Sequence, residues 1–264
     1  MTLVLEEQVV LFVDLLGFSE ASVRDNEELQ KNVLALLRSI AEMKSEFSYR
    51  SEENEPGSTT HSMVPSISTF SDHIVISYPI DRIEGEDRFR YIMIASQVQQ
   101  LLSFVAISAL EIGFLIRGGM AIGKLYHSAG VVFGEAMVEA FRLESRTAIY
   151  PRVVISKPLA DKMGSGFEPW VLKDFDGIYR VEYFFSLLAA GILPGEKYAE
   201  TVQARYRNIV AILRENIVKL DSIGKLNERA KWVWFSRQFA EYLKTISQEV
   251  RKFWGVSIDE LPLG

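Results

Sequence analysis

The first quarter of the chain contains two kinds of hydrophobic spacing, one typical of a strand and one typical of a helix. Residues 9–13 form an uninterrupted, valine-rich apolar run that ends at Asp14, and such a run predicts a buried strand. Apolar side chains then recur three and four positions apart over residues 29–47, which predicts an amphipathic helix. The polar stretch of residues 51–60 contains Pro56-Gly57 and predicts a loop.

A hairpin is predicted directly after this loop. Residues 66–70 and 73–77 are β-type runs, and Ser71 and Asp72 between them suit a tight turn. The remaining pattern predicts, in order, helix 88–112, strand 114–122, helix 135–147, strand 152–156, a hairpin of strands 170–173 and 179–185, and helical segments 198–220 and 227–253. This order predicts an α+β fold with a mostly antiparallel sheet flanked by helices. We expect residues 1–190 to form one domain and residues 191–264 to form a C-terminal helical extension packed on it.

Composition excludes several kinds of chemistry. The 264 residues include no cysteine, which rules out disulfides, thiolate nucleophiles, iron–sulfur clusters and cysteine-based zinc sites. Lys and Arg total 29 against 35 Asp and Glu, and the net charge of −6 argues against a nucleic-acid partner. The longest apolar run, residues 101–116, is interrupted by Glu111 and Gly113 and is too short for a bilayer, and no signal-peptide pattern opens the chain. We therefore expect a cytoplasmic protein with no membrane partner, in which oxygen atoms hold any metal ion.

Two aspartates at predicted strand ends are the main candidates for chemistry. Asp14 closes the first strand and Asp72 lies in the hairpin turn, so neighbouring strands would bring both carboxylates to one pocket. Two carboxylates at such a short distance repel each other unless a hard cation such as Mg²⁺ or Mn²⁺ lies between them. Either aspartate could equally be an ordinary turn-forming residue. His73 directly follows Asp72, so side-chain alternation predicts that it points to the opposite face of the sheet and is not a ligand, and His127 is predicted in a turn.

The segment Leu15-Leu16-Gly17-Phe18 is a candidate phosphate seat. A glycine at this point lets the backbone turn tightly and aim N–H groups at an anion. A plain strand-to-helix turn is the alternative. A carboxylate-bound cation beside an anion seat would make a nucleoside triphosphate site.

Four motifs follow one another in a consistent order. The first is an apolar run that is followed by Asp, two further residues and Gly-Phe (10–18), and the second is a hairpin that contains an aspartate (69–72). The third is a strand with the pattern Arg-x-Gly that ends in glycine (116–123), and the fourth is the helix that follows this strand (133–136 and 140–144). In this combination the chain resembles the class III nucleotidyl cyclases over roughly residues 8–186. The resemblance implies a ferredoxin-like, palm-type sheet for the predicted α+β fold.

The resemblance also implies roles for individual residues. Asp14 and Asp72 would be catalytic and would hold two divalent cations, Mn²⁺ or Mg²⁺, with the Leu15 carbonyl completing one metal shell. Backbone amides of residues 15–18 would orient the triphosphate. Arg142 falls on the transition-state arginine, which in these cyclases comes from the other subunit, so a head-to-tail homodimer is implied.

Four positions depart from the pattern of the family. Ser68 stands where its purine cyclases have a base-reading lysine, and Val131 stands in place of the partner of that lysine. Val138 replaces their transition-state asparagine, and the family usually has glycine where Ser71 stands. Because the two residues that contact the purine base in those enzymes are both absent here, the sequence argues against ATP or GTP as the substrate.

A narrower resemblance is to the pyrimidine cyclases of bacterial Pycsar anti-phage defence. The segments that carry it are 69–72, 117–119, 133–136, 141–144, 151–154 and the turn 174–177. It implies conversion of UTP to cyclic UMP, with CTP as the near alternative, and a separate effector that the cyclic nucleotide activates. Tyr49 and Arg50 are candidates for narrowing the pocket around a pyrimidine, although an exposed helix end explains them equally well.

Three other interpretations stay open at this point. A purine nucleotide cyclase would share the metal-binding core. A degenerate cyclase-like module would bind nucleotide or partners without turnover, which would explain Val138. A relative of diguanylate cyclases or polymerase palms would share the metals, but the Gly-Gly-acidic hairpin that marks those proteins is missing.

Overall fold

The computed structural model describes residues 4–18, 26–49, 64–83, 85–164, 170–184, 187–188 and 197–264, with backbone alone at 44–49. The chain divides into two compact units. The first unit comprises Met1–Val98 and Ile116–Glu182, and the second comprises Gln99–Leu115 and Tyr183–Gly264.

Eight strands form one mixed sheet in the described part of the chain. They are β1 (Glu6–Leu16), β2 (Ser66–Phe70), β3 (His73–Pro79), β4 (Leu115–Ser128), β5 (Val131–Gly134), β6 (Val153–Ile155), β7 (Val171–Lys173) and β8 (Tyr179–Val181). The order across the sheet is β2-β3-β1-β4-β6-β8-β7, and β5 pairs with β4 off this path. The pairs β1/β3, β2/β3, β4/β5, β6/β8 and β7/β8 are antiparallel, and β4/β6 is parallel.

The described residues contain seven α-helices. They are α1 (Glu27–Tyr49), α2 (Asp87–Glu111), α3 (Glu135–Arg142), α4 (Lys157–Met163), α5 (Tyr198–Ser222), α6 (Leu226–Thr245) and α7 (Gln248–Trp254). A π-helical turn, Leu143–Thr147, continues α3 directly. The predicted α+β class, with a mostly antiparallel sheet, flanking helices and a helical C-terminal part, is confirmed.

Three elements differ from their predicted form. Strand β1 runs two residues past Asp14, so that residue lies inside the strand and not at its end. The hairpin of β4 with β5 was not predicted, and its turn takes positive φ at both Ala129 (50°) and Gly130 (79°). The helical segment predicted over residues 227–253 divides into α6 and α7, since Ser247 begins a new helix by capping the N–H of Val250.

The Gly118-Gly119 pair in β4 lets two neighbours approach the strand closely. A Cβ atom on Gly118 would lie 2.5 Å from the backbone oxygen of Phe12 in β1. A Cβ atom on Gly119 would lie 2.1 Å from the backbone oxygen of Ala140 and 2.7 Å from the Leu143 side chain. Helix α3 and its π turn therefore rest directly on the backbone of β4, which fixes the position of everything they carry.

Replacing Gly119 by alanine should destabilise the protein by about 3 kcal/mol, because the added methyl group meets backbone that cannot move aside. Urea unfolding followed by circular dichroism measures this loss. Gly164→Ala is the control, since nothing lies within 4 Å of its Cβ position and only its φ of 66° opposes a side chain. If Gly119→Ala were as stable as this control, the close packing of α3 on β4 would be wrong.

The second unit is built around aromatic side chains. Phe184 packs against Phe235 and Phe239, with ring centroids 5.1 and 6.1 Å apart. The helical spacing over residues 198–220 predicts an apolar stripe of Ile209, Leu213, Ile217 and Leu220, of which the first three are buried and Leu220 is half-buried. These side chains therefore form a core within this unit.

Helix α2 is long and apolar enough to cross a membrane by length and composition alone. However, 61% of its most apolar stretch is buried inside the protein. Burial to this extent is typical of the core helix of a soluble protein, so α2 is weak support for a membrane span.

Candidate metal and nucleotide site

Asp14, Asp72 and His73 meet at one point in the first unit. One ligand atom from each of these residues lies within 4.8 Å of the other two. His73 Nε2 is 3.7 Å from Asp14 Oδ1, and His73 Nδ1 is 3.3 Å from Asp72 Oδ1. The two predicted aspartates are therefore neighbours, and His73, which was predicted not to be a ligand, lies close to both of them.

Strand register explains why His73 belongs to this cluster. Asp14 of β1 and His73 of β3 are direct antiparallel partners, and directly opposed side chains project from the same face of a sheet. The predicted opposite orientation of His73 was wrong because Asp72 lies in the turn, where the alternation of strand side chains does not apply. Ser71 takes a φ of 54° in that turn, the conformation for which glycine is the usual residue.

Two aromatic rings hold the His73 imidazole in place. The Phe12 ring lies 5.0 Å from it and the Phe70 ring 5.1 Å, measured between centroids, and Phe70 is nearly parallel to it. Phe70 is itself largely exposed, so it covers the histidine from the solvent side. A ring fixed in this way presents its nitrogens to the two carboxylates in a defined plane.

Arg117 and Glu144 complete the cluster behind Asp14. Arg117 donates a hydrogen bond from Nε to Asp14 Oδ2 at 3.0 Å. The same Nε lies 2.7 Å from Glu144 Oε1, but that oxygen accepts no hydrogen bond. The π turn after α3 carries Glu144 into this buried position, where its side chain is only 3% exposed.

The charges of the cluster do not balance. Three carboxylates, those of Asp14, Asp72 and Glu144, lie in the cluster with a single guanidinium, that of Arg117. Burial raises the pKa of the Asp14 carboxyl, and the hydrogen bond from Arg117 opposes this rise. Burial also raises the pKa of Glu144. A bound cation would therefore relieve the cost of burying these anions.

The donor set fits a divalent cation. Two ligands on opposite sides of such an ion are roughly 4–5 Å apart, which matches the spacing of the three ligand atoms. His73 Nδ1 and Glu144 Oε1 are buried polar atoms without a hydrogen-bond partner, and both belong to the cluster. Asp14, Asp72 and His73 could hold one cation directly, and an imidazole ligand suits Mn²⁺ better than Mg²⁺.

The predicted phosphate seat has one amide fewer than expected. The N–H of Leu15 donates to the carbonyl oxygen of Asp72 at 3.3 Å, so it is already engaged. Gly17 is exposed with a φ of 95°, and nothing lies within 4 Å of its Cβ position. The candidate seat is therefore limited to residues 16–18, where the backbone leaves β1 next to the acidic cluster.

Arg142 lies at the C-terminal end of α3, on the surface. Among the described residues it makes no ion pair or hydrogen bond with the acidic cluster, which engages Arg117 instead. Phe141 beside it is 48% exposed and contacts Phe12 edge-on at 5.7 Å. The arginine is thus free to reach a group that approaches this surface.

The predicted base-binding residues have different outcomes. Ser68 lies in β2, half-buried, and shares a hydrogen bond with His127 at 2.9 Å. His127 belongs to strand β4 and not to a turn, so that expectation was wrong. The side chain of Tyr49 and the whole of Arg50 lie outside the described residues.

Arg117 and Glu144 were not predicted as partners of Asp14, although both lie within motifs that the chain shares with the cyclases. Neither residue signals its role locally, because they lie 103 and 130 positions from Asp14 along the chain. The sequence offers two signals for such a partnership, which are a glutamate in the apolar part of an amphipathic helix pattern and an arginine within an apolar strand. Each of them requires a charged partner when buried.

No protein-family description and no curated protein matches this chain. Among solved structures, it is similar to the dimeric guanylyl cyclase domain of the RhoGC fusion protein from the aquatic fungus Blastocladiella emersonii, at 16% identity over 67% of this chain and 93% of that one, with a TM-score of 0.40. It is also similar to the guanylate cyclase domain of RhGC from Catenaria anguillulae in complex with GTP, at 14% identity over 67% of this chain and 96% of that one, with a TM-score of 0.39. Similarity at this level assigns no activity, substrate or partner to the chain.

Proposed function

We propose that this chain is a class III nucleotidyl cyclase that converts UTP to 3′,5′-cyclic UMP and pyrophosphate in the cytoplasm. The observation that carries the proposal is the convergence of Asp14, Asp72 and His73 within 4.8 Å, next to the exposed turn at Gly17. The resemblance over residues 8–186 supports the type of reaction. Ser68 and Val131, in place of the purine readers, support a pyrimidine substrate, with CTP as the near alternative.

The reaction joins two parts of one nucleotide. The ribose 3′ oxygen attacks the α-phosphorus, a new O–P bond forms as the bond to the β-phosphate breaks, and the hydroxyl proton leaves to solvent. Asp14 and Asp72 would hold two divalent cations, Mn²⁺ or Mg²⁺. When bound, the cations would lower the pKa of the 3′ hydroxyl and compensate the negative charge of the triphosphate.

The residues around the cluster prepare this site. Arg117 bonds one oxygen of Asp14 and leaves the other facing His73, so the carboxylate keeps one orientation. Glu144 in turn holds Arg117 from behind. Backbone amides of residues 16–18 would orient the triphosphate, and the Leu15 carbonyl is proposed as a further metal ligand. Arg142 would stabilise charge that develops on the α-phosphate.

A head-to-tail homodimer would bring Arg142 to the site of the partner chain. The surface of β5 and α3, the helix that carries this arginine, supports such an assembly, because four of its large apolar side chains are about half exposed. They are Val131, Phe133, Val138 and Phe141. Phe133 and Val138 also line a cavity of about 440 Å³ on this surface.

The product would act as a second messenger. We propose that cyclic UMP activates a separate effector protein during anti-phage defence, which the resemblance to the pyrimidine cyclases supports. The C-terminal residues 191–264 are proposed as a helical extension of a catalytic domain of residues 1–190. Infection of cells that carry the chain with and without Asp72→Asn would test the defence role directly.

One observation favours a second candidate, a module that binds nucleotide without turnover. Asp14 is already paired with Arg117 at 3.0 Å, and this guanidinium would compete with a cation for the carboxylate. Val138 in place of an asparagine points the same way. Such a module would bind nucleotide but form no cyclic product.

Incubation of the purified chain with each of the four NTPs and Mn²⁺ separates these functions. We expect cyclic UMP and pyrophosphate from UTP, identified by chromatography against standards, and no product from Asp72→Asn. A cyclic purine as the main product would reassign the substrate. Binding of UTP without any cyclic product would contradict the proposed enzyme and favour the non-catalytic module.

A further inference from the structure

Arg117 lies between two buried carboxylates that compete for the same hydrogen atom. Its Nε is 3.0 Å from Asp14 Oδ2 and 2.7 Å from Glu144 Oε1. This nitrogen carries one hydrogen, which is donated to Asp14. Glu144 Oε1 is the nearer oxygen, and its side chain is only 3% exposed, yet this atom accepts no hydrogen bond. The Nε–H group therefore serves Asp14, while the Glu144 oxygen has an ionic contact alone.

A small movement of the guanidinium would reverse this preference. A slight turn at the end of the Arg117 side chain would direct the same N–H at Glu144 Oε1, which already lies at hydrogen-bond distance. Glu144 is a fixed acceptor, because the π turn that carries it rests on the backbone of β4. A buried carboxylate oxygen without a hydrogen bond is costly, so the bond gained at Glu144 offsets the bond lost at Asp14.

A cation at Asp14 would favour this second arrangement. Asp14 Oδ1 faces His73, and Asp14 Oδ2 receives the hydrogen bond from Arg117. A divalent cation on this carboxylate would repel the guanidinium and compete with it for the same negative charge. Glu144 offers the guanidinium a second anion, so Arg117 can release Asp14 without becoming an unpaired charge.

We propose that Glu144 is a positioning residue that draws the Arg117 guanidinium away from Asp14 when a divalent cation binds. The hydrogen bond from Nε to Asp14 Oδ2 breaks, a hydrogen bond from the same N–H to Glu144 Oε1 forms, and no proton is transferred. The charge of Asp14 then becomes available to the cation. Without Glu144 the guanidinium would stay on Asp14 and oppose the cation. This inference rests on the cation site of the proposed cyclase.

Binding of Mn²⁺ in the absence of nucleotide tests this inference. The free-ion signal in electron paramagnetic resonance gives the dissociation constant for the wild type, Glu144→Gln and the double variant Arg117→Gln/Glu144→Gln. We expect Glu144→Gln to weaken Mn²⁺ binding by about 10-fold or more, because the guanidinium then remains on Asp14. Removal of the guanidinium as well should restore the affinity of the double variant to within about threefold of the wild type. Glu241→Gln, at an exposed residue of α6 that pairs with Lys244, is the control and should bind Mn²⁺ like the wild type.

The double variant separates this role from two simpler ones. If Glu144 attracted the cation directly through its charge, or only supported the fold, removal of Arg117 would bring no recovery. Glu144→Asp gives a second comparison, since it keeps the charge but lacks one methylene group and cannot reach Nε. It should weaken Mn²⁺ binding as Glu144→Gln does, and it carries the test if thermal unfolding shows that Glu144→Gln is not folded.

Each outcome of these measurements has a distinct meaning. Equal Mn²⁺ binding by the wild type and folded Glu144→Gln would overturn this inference alone, and so would a double variant as weak as Glu144→Gln. A wild type that does not bind Mn²⁺ would overturn the inference together with the metal-dependent cyclase. A wild type that binds Mn²⁺ but forms no cyclic product from any NTP would remove the cyclase, and weakened binding in Glu144→Gln with recovery in the double variant would still support this role of Glu144.

Discussion

Asp14→Asn and Asp72→Asn should each reduce cyclic-nucleotide formation by about 10³-fold or more, to below detection, because several kcal/mol of transition-state stabilisation depend on the cation site. Both variants should also lose Mn²⁺ binding, measured as the free-ion signal in electron paramagnetic resonance. Asparagine has nearly the size of aspartate, so the fold should persist. For Asp14, whose pKa burial already raises, a neutral side chain even removes a cost of burial.

Asp161→Asn is the matched control for this prediction. Asp161 is an exposed residue of α4 that pairs with Lys157 at 2.8 Å, away from the cluster. It should leave both Mn²⁺ binding and turnover unchanged. Retained turnover in purified Asp14→Asn or Asp72→Asn would dismiss the metal-site assignment.

The hairpin that carries Asp72 could be predicted because its signals are local. Two β-type runs on either side of Ser71-Asp72 specify both the turn and the register, and the structure pairs Phe70 with His73 across it. The nearness of Asp14 and Asp72 required one further assumption, that β1 and β3 are neighbours. The sheet order confirms this assumption. Short-range sequence patterns are therefore nearly sufficient to predict that Asp14 and Asp72 lie close together.

The partners of the acidic pair could not be predicted in this way. His73 depends on the register between β1 and β3, and a shift of one residue would turn it to the other face. Arg117 and Glu144 reach Asp14 only because Gly118 and Gly119 allow β1 and α3 to approach β4. The β4–β5 turn was not predicted because Ala129 takes a positive φ there, at a position where asparagine or glycine is the usual residue of a hairpin turn. Each of these features is decided by packing between distant segments.

A mixture of two inactive variants should recover activity if the proposed dimer has composite sites. Arg142→Ala alone should lower kcat by about 10³-fold, with a smaller effect on nucleotide binding, since the arginine would act on charge that develops during the reaction. When Arg142→Ala and Asp72→Asn chains are produced together, a mixed dimer has one doubly altered site and one intact site. Half of the dimers are mixed and each has one working site, so about a quarter of the wild-type activity should return.

The control is a mixture of Asp14→Asn with Asp72→Asn. Both aspartates belong to one cluster within a single chain, so a mixed dimer of these variants has a defect in each site and should stay inactive. Two affinity tags would isolate the mixed dimers and confirm that they form. Recovery in the first mixture and none in the second requires Arg142 to act across the interface, because no single chain in either mixture is intact. If isolated mixed dimers of Arg142→Ala and Asp72→Asn were inactive, the arginine would serve its own chain, and its exposed position at the end of α3 would need another explanation.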